Sequence, residues 1–270
     1  MNARENLTAA DAAPAESVLL VDVADRVAVV TLNRPHARNA LNQEVQRLLP
    51  ETIAALDVDD DVDVIILTGT DPAFSAGVDL KELGSGNVGL VQPKEQRGPL
   101  RPHRKPLIGA INGVAVTGGF ELALACDLLV ASEHARFADT HTRVGVMPGW
   151  GLTVLLPLAI GVRRARELSI TGNYLDAPTA LAWGLVNHVV PHQELLPFCR
   201  SLAADVVGND QAGVRRMLQT YHEGSLLGID DAWALETRVS YAWMASHLDP
   251  AEVERRRQGI LERGRAQTAD

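Results

Sequence analysis

Residues 105–127, Lys-Pro-Leu-Ile-Gly-Ala-Ile-Asn-Gly-Val-Ala-Val-Thr-Gly-Gly-Phe-Glu-Leu-Ala-Leu-Ala-Cys-Asp, constrain the fold more than any other stretch of the chain. They read as a buried strand, a glycine turn and a helix that carries a carboxylate, Glu121, in its first turn. Gly118 and Gly119 lack Cβ atoms, so a ligand oxygen can come close to N–H groups that an opening helix leaves unpaired and partly positive. Such a site suits a developing oxyanion. It does not suit the two familiar phosphate cradles. Counted from Gly113, the spacing follows a P-loop as far as Gly118, but Gly119 and Phe120 stand where Lys and Ser or Thr are required, and no G-x-G-x-x-G occurs there.

The same alternation extends along the chain. Residues 18–23 and 27–32 predict a hairpin turning at Ala24, Asp25 and Arg26. Asn42 offers a cap for a helix to about residue 56, with Val45, Leu48, Leu49, Ile53 and Leu56 at helical spacing. Residues 64–68 and 107–111 predict buried strands, each leading into a glycine turn. Strands follow at 128–131 and 135–138, helices at 163–171 and 178–183, and a short strand at 186–190. This order predicts an α/β fold of βαβ units with right-handed crossovers. Beyond Pro191 the strand signal ends, and residues 195–207, 211–225, 230–245 and 250–265 all predict helix. The expected division is a tail over 1–15, an α/β core over 16–191 and an all-α region over 192–270. Trp233, Leu235, Val239, Ala242 and Trp243 form an apolar stripe that would serve as intrachain core or as a subunit contact.

Composition narrows the class. With 270 residues and 46% hydrophobic content, the chain can bury one large core, or a core and an appendage. A formal charge of −9 argues against a general nucleic-acid binder. Lys94, Arg97, Arg101, Arg104 and Lys105 crowd together with only Glu95 opposing them, as a solvated loop or a landing site for an anionic ligand. Cys126 and Cys199 form no C-x-x-C, which disfavours structural zinc and a disulfide framework and leads to a reducing, cytoplasmic setting. Residues 1–15 fit a frayed tail better than a signal peptide, and no run reaches the ~18 apolar residues of a membrane span.

A second glycine turn, residues 71–80 (DPAFSAGVDL), follows the 64–68 strand much as the Gly118 turn follows the 107–111 strand. If those strands are neighbours, the N–H groups of Val78 and Gly118 can converge on one oxygen. With "NRPHARNALN" at 33–42, "AFSAGVDL" at 73–80, "KPLIGAINGVAVTGGFELALACDL" at 105–128 and "GVMPGWG" at 145–151, the chain resembles the enoyl-CoA hydratase/isomerase, or crotonase, family from about residue 18 onward.

The resemblance implies a crotonase-like spiral of βαβ turns with a C-terminal helical trimerisation region, assembled as a homotrimer or a dimer of trimers. It implies a coenzyme A thioester as substrate, no metal and no separate cofactor. By position, the Val78 and Gly118 amides would hold the thioester oxygen. The segments around Arg38 to Leu41 and Ala76 to Leu80, with Ala40, Gly77, Asp79 and Gly119, would border the coenzyme A arm. Glu121 matches the family's first catalytic glutamate, which activates water; its other possible role is to cap its own helix. The second glutamate's position holds His141. An imidazole of ordinary pKa, around 6.5, would be mostly neutral at pH 7 unless a neighbour raised it. Asp139 is either that neighbour or a turn residue. Trp150 and Phe120 would line the acyl pocket or fill the core, and Asp79 would fix its turn through backbone N–H groups. The expected reaction is hydration of a trans-2-enoyl-CoA, with Glu121 acting toward C3 and His141 toward C2. A double-bond isomerase and a non-catalytic acyl-CoA-binding protein are the alternatives.

Overall fold

The computed structural model of the protein describes residues 17–85 and 97–268. The tail expected over 1–15 and the basic residue Lys94 lie outside them. β1 (Leu19–Ala24) and β2 (Val27–Leu32) form the expected antiparallel hairpin. Its turn is made by Asp25 and Arg26, both at positive φ (50° and 65°), the geometry of the two-residue hairpin loops that match strand twist. α1 (Gln43–Asp57) starts where Asn42 accepts a hydrogen bond from the Val45 amide at 3.0 Å, and it buries Val45, Leu49, Ile53 and Leu56.

Three similar repeats follow, each a strand, a short strand and a helix. They are β3 (Val64–Gly69), β4 (Ala73–Ser75) and α2 (Leu80–Gly84); β5 (Leu107–Ile111), β6 (Val114–Val116) and α3 (Gly118–Leu124); and β7 (Leu128–Ser132), β8 (Arg136–Ala138) and α4 (His141–Val144). Then come α5 (Leu152–Ile160), α6 (Val162–Thr171), β9 (Leu175–Asp176), α7 (Ala177–Trp183), β10 (His188–Val190), α8 (Leu195–Val207), α9 (Gln211–Gly224), α10 (Ile229–His247) and α11 (Pro250–Thr268).

The first strand of every repeat joins a six-stranded sheet in the order β1-β2-β3-β5-β7-β10, and the short strand joins a four-stranded sheet in the order β4-β6-β8-β9. The repeats therefore stack in sequence order in both layers, as successive turns of a spiral. In the larger sheet only the β1–β2 pair is antiparallel; in the smaller only β8–β9 is. The sequence predicts the strands of the larger sheet but only β8 of the smaller, because β4 and β6 are too short to carry a periodicity.

Burial explains the nearly unbroken apolar runs. Every residue of β3 and β5 is buried, as expected of parallel strands covered on both faces. Ala28, Val30, Leu32, Ile65, Leu67, Leu107 and Ile111 face a core shared with α1, whereas Val27, Val29, Val64, Ile66, Ile108 and Ala110 pack with Leu195, Cys199 and Ala203 of α8. α8 thus covers the outer face of the sheet, although the sequence grouped it with the C-terminal helices. The chain separates into two compact units between Arg215 and Arg216.

Two sequence expectations are narrowed. Of the apolar stripe on α10, Leu235 is 5% exposed and Val239 and Trp243, four and eight residues on, are half-buried, while Trp233 is 65% exposed. Residues two apart on a helix point in different directions. Within the basic cluster Arg97 and Arg101 are exposed, but Arg104 and Lys105 are engaged within the chain. Lys105 is buried, its ammonium donating to the carbonyls of Leu56 (2.7 Å) and Asp59 (2.5 Å), and the Arg104 amide and guanidinium both meet Asp57. Among the described residues, no helix is long and apolar enough to cross a membrane.

Gly119 is a close-approach position, since a Cβ there would lie 2.3 Å from the Ser75 carbonyl oxygen. Backbone cannot yield as a side-chain tip can. A Gly119→Ala variant is expected to lose about 1–3 kcal/mol of stability, measured as a lower urea midpoint at unchanged slope.

Candidate active site

Parallel pairing of β3 with β5, and of β4 with β6, brings the two glycine turns together. A Cβ on Gly77, which has φ +86°, would lie 3.2 Å from the Gly118 nitrogen, and one on Gly118 would lie 3.5 Å from the Val78 nitrogen. Local hydrogen bonding leaves both amides unused. The Leu41 amide donates to the Gly77 carbonyl and the Asp79 amide to the Leu41 carbonyl, so the ladder passes over Val78. Gly118 opens α3 and so has no acceptor one turn back. Neither amide has a hydrogen-bond acceptor among the described residues.

Glu121 projects from the first turn of α3 and is only 3% exposed. Rather than capping its own helix, its Oε1 accepts hydrogen bonds from the amides of Trp150 (2.7 Å) and Leu152 (3.4 Å). This ties the segment after α4 to the site. Its Oε2 faces His141 Nε2 at 3.4 Å.

His141, also buried, is held from the other side by Asp139, whose Oδ1 lies 2.6 Å from Nδ1 and also accepts from the His141 amide at 3.2 Å. Burial alone would lower the imidazole's pKa. The hydrogen bonds and charges of Asp139 and Glu121 outweigh it, and hold the pKa up at about 9. Burial would likewise raise Asp139, but the bonds from His141 and Ser169 outweigh it and keep that carboxyl below its ordinary range. His141 is therefore an imidazolium at neutral pH, with one N–H given to Asp139 and the other directed at Glu121. Asp139 is the neighbour that the sequence left open.

Beside this line of charges lies a cavity of about 340 Å³. Its polar lining is Glu121, His141, Thr117 and Thr140; the rest is apolar, chiefly Val78, Leu80, Leu83, Val144, Val146, Met147 and Trp150, with Ala76 and Gly149. Trp150 both lines the cavity and packs into the core, whereas Phe120 is core alone, 5.5 Å from the Phe137 ring.

Of the residues singled out in the sequence, Ala76, Val78, Leu80, Glu121, His141 and Trp150 meet at this cavity. Gly77 and Gly118 stand just behind it, and Gly119 serves packing against Ser75. Arg38 and Ala40 do not line it: Arg38 is exposed at φ 51°, its carbonyl taking the Ala76 amide, and the Ala40 carbonyl accepts from Arg34. Asp79 caps α2 through the Lys81 amide (3.1 Å) and pairs with Arg34 (3.0 Å). Thr117, Thr140 and Arg34 were missed by sequence reasoning. The available signal for the two threonines was their place immediately before Gly118 and His141. No group of three or more His, Cys, Asp or Glu side chains among the described residues is placed to hold a metal ion.

The family model for enoyl-CoA hydratase/isomerase matches residues 22–264. The chain is 40% identical over 240 residues to a probable peroxisomal enoyl-CoA hydratase 1 of Arabidopsis thaliana, covering 88% of this chain and 90% of that protein. Among solved structures, an enoyl-CoA hydratase of Mycobacterium smegmatis is 50% identical with a TM-score of 0.72, over 85% of this chain and 99% of that one. An enoyl-CoA hydratase of Bacillus anthracis is 30% identical with a TM-score of 0.81, over 90% of this chain and 97% of that one. A model match over most of the chain, relatives aligned nearly end to end and a shared spiral architecture agree: the chain belongs to the enoyl-CoA hydratase/isomerase family.

Proposed function

We propose that the protein is an enoyl-CoA hydratase, a lyase that adds water across the 2,3 double bond of a trans-2-enoyl-CoA thioester. The observation that carries this reading is the buried Asp139–His141–Glu121 line at the polar end of an apolar cavity, next to two unused amides. The Val78 and Gly118 N–H groups bind the thioester oxygen. Each such donor is worth about 3 kcal/mol when charge collects there, and the positive end of α3 adds to it. Glu121 takes one proton from water as its oxygen bonds to C3. The electron pair of the double bond moves onto the thioester as an enolate. The His141 Nε2–H then protonates C2, and the proton on Glu121 returns to the imidazole across the 3.4 Å that separates them. The bookkeeping closes without a cofactor, because every proton comes from water or from these two side chains.

An isomerase would use the residue at the His141 position as a base. Here two carboxylates keep that residue protonated, which suits an acid. The homotrimer, or dimer of trimers, is supported by apolar side chains on α10 and α11 that lie open in the single chain, among them Trp233, Tyr241 and Ile260. A reducing cytoplasmic setting is supported by two free thiols, of which burial pushes Cys199 up to about 12.

Glu121→Gln is expected to lower kcat on crotonyl-CoA by 10²–10⁴-fold, on the order usual for a general base. A parental rate in that variant removes Glu121 from the mechanism. Faster turnover of a 3-enoyl-CoA than of its 2-enoyl isomer would favour the isomerase, and tight acyl-CoA binding without turnover at any pH a binding protein. Activity should persist through neutral pH and fall as pH rises through about 9, where His141 loses its proton. Asp139→Asn should move that alkaline limb downward, toward the ordinary imidazole value. The linked stability has the same sign: because the folded pKa is raised, the pairing stabilises fully below about pH 6.5 and is lost as pH rises through about 9. Thermal midpoints recorded from pH 6 to 10 check this against the Asp139→Asn variant.

A further inference from the structure

Thr117 is the most strained residue at the site. Its φ of 53° and ψ of −117° belong to the first central position of a type II′ turn, which glycine normally fills and a β-branched side chain resists. Strain of this kind persists where the surroundings enforce it, and it concentrates at functional sites. The hydroxyl of Thr117 makes no cap bond to α3. It lies instead 2.6 Å from the hydroxyl of Thr140, and both residues line the cavity with Glu121 and His141.

Each hydroxyl has one proton to donate. The contact between the two threonines uses one of them, and the other has no acceptor among the described residues. The cavity thus contains a hydrogen-bond donor fixed near a carboxylate and an imidazolium, with apolar walls beyond. A donor so placed complements an oxygen atom.

Resting on the hydratase reading above, we infer that the Thr117–Thr140 hydroxyl pair donates a hydrogen bond to the oxygen of the attacking water, and to the same oxygen as the C3 hydroxyl of the product. No proton is transferred by the pair. As Glu121 takes a proton from the water, that oxygen gains hydroxide character, so the donor binds the transition state more strongly than bulk water does. In the hydration direction the pair therefore raises kcat and affects KM for the enoyl-CoA little. The strained backbone at Thr117 is what holds its hydroxyl in the cavity.

Four variants test this on crotonyl-CoA, with kcat, KM and the thermal midpoint measured for each. Thr117→Gly removes the hydroxyl and the strain together. It is expected to raise the thermal midpoint yet lower kcat on the order of tenfold, with KM little changed. Thr140→Val, which keeps the shape, should lower kcat by a similar factor, and the double variant should be scarcely worse than either single one, since each single change already breaks the pair that orients the donor. Thr117→Ser, which restores a hydroxyl, should recover most of the turnover lost in Thr117→Gly. A Thr117→Gly enzyme with parental kcat overturns the inference, and so does a loss of kcat that serine fails to recover. If the parental enzyme turns over no 2-enoyl-CoA at all, the hydratase reading itself has failed.

Discussion

The parallel pairing of β3 with β5, repeated one layer away by β4 with β6, fixes where everything else at the site can stand. Two strands in register must end side by side, so the turns that leave them also lie side by side. Neither turn alone places two such amides on one oxygen. Stacked, they set the Val78 and Gly118 nitrogens on adjoining stretches of backbone, with Gly77 permitting an approach that any Cβ would obstruct. The third repeat continues the spiral: β8 pairs with β6, and the segment after β8 brings Asp139, Thr140 and His141 to the same place.

Charge then limits what that place can tolerate. Two carboxylates and one imidazole lie buried within hydrogen-bonding range of one another. An unpaired ion in such surroundings is costly, whereas an imidazolium between two anions has a partner on each side. On the hydratase reading proposed above, a histidine at this position therefore still supplies an acid. Its ring proton is secured by Asp139, two residues away and on the far side of the ring from Glu121.

Much of this was legible in the residues. The hairpin, the capped first helix, the buried strands and the late helices follow from periodicity and capping, and Glu121 stands out because it lies in the first turn of a helix that opens from a glycine turn. What was not legible was set by contacts between segments distant in sequence. The three-residue strands β4 and β6 carry no pattern of their own and exist because each repeat supplies a partner for the next. Lys105 reads as a surface cation, yet carbonyls of the preceding helix end solvate it in the interior. Gly119 reads as a ligand-approach position, but Ser75 occupies the space it leaves. Thr117 could not be recognised as strained until the turn that strains it was seen.

The cavity draws its two characters from different parts of the spiral. The amides and Glu121 come from the ends of β4 and β6 and the first turn of α3, all anchored in the interior. The apolar wall comes largely from exposed or half-buried positions: Leu80 and Leu83 on α2, and Val144, Val146 and Met147 at and after α4. Substitutions at Leu80, Leu83, Val146 and Met147 touch neither the sheet nor the helix that carries Glu121. On the hydratase reading, a lineage carrying this scaffold can thus drift toward longer, shorter or branched acyl groups while its reaction stays as it was, because most of that wall can change without moving Glu121 or the strands that carry it.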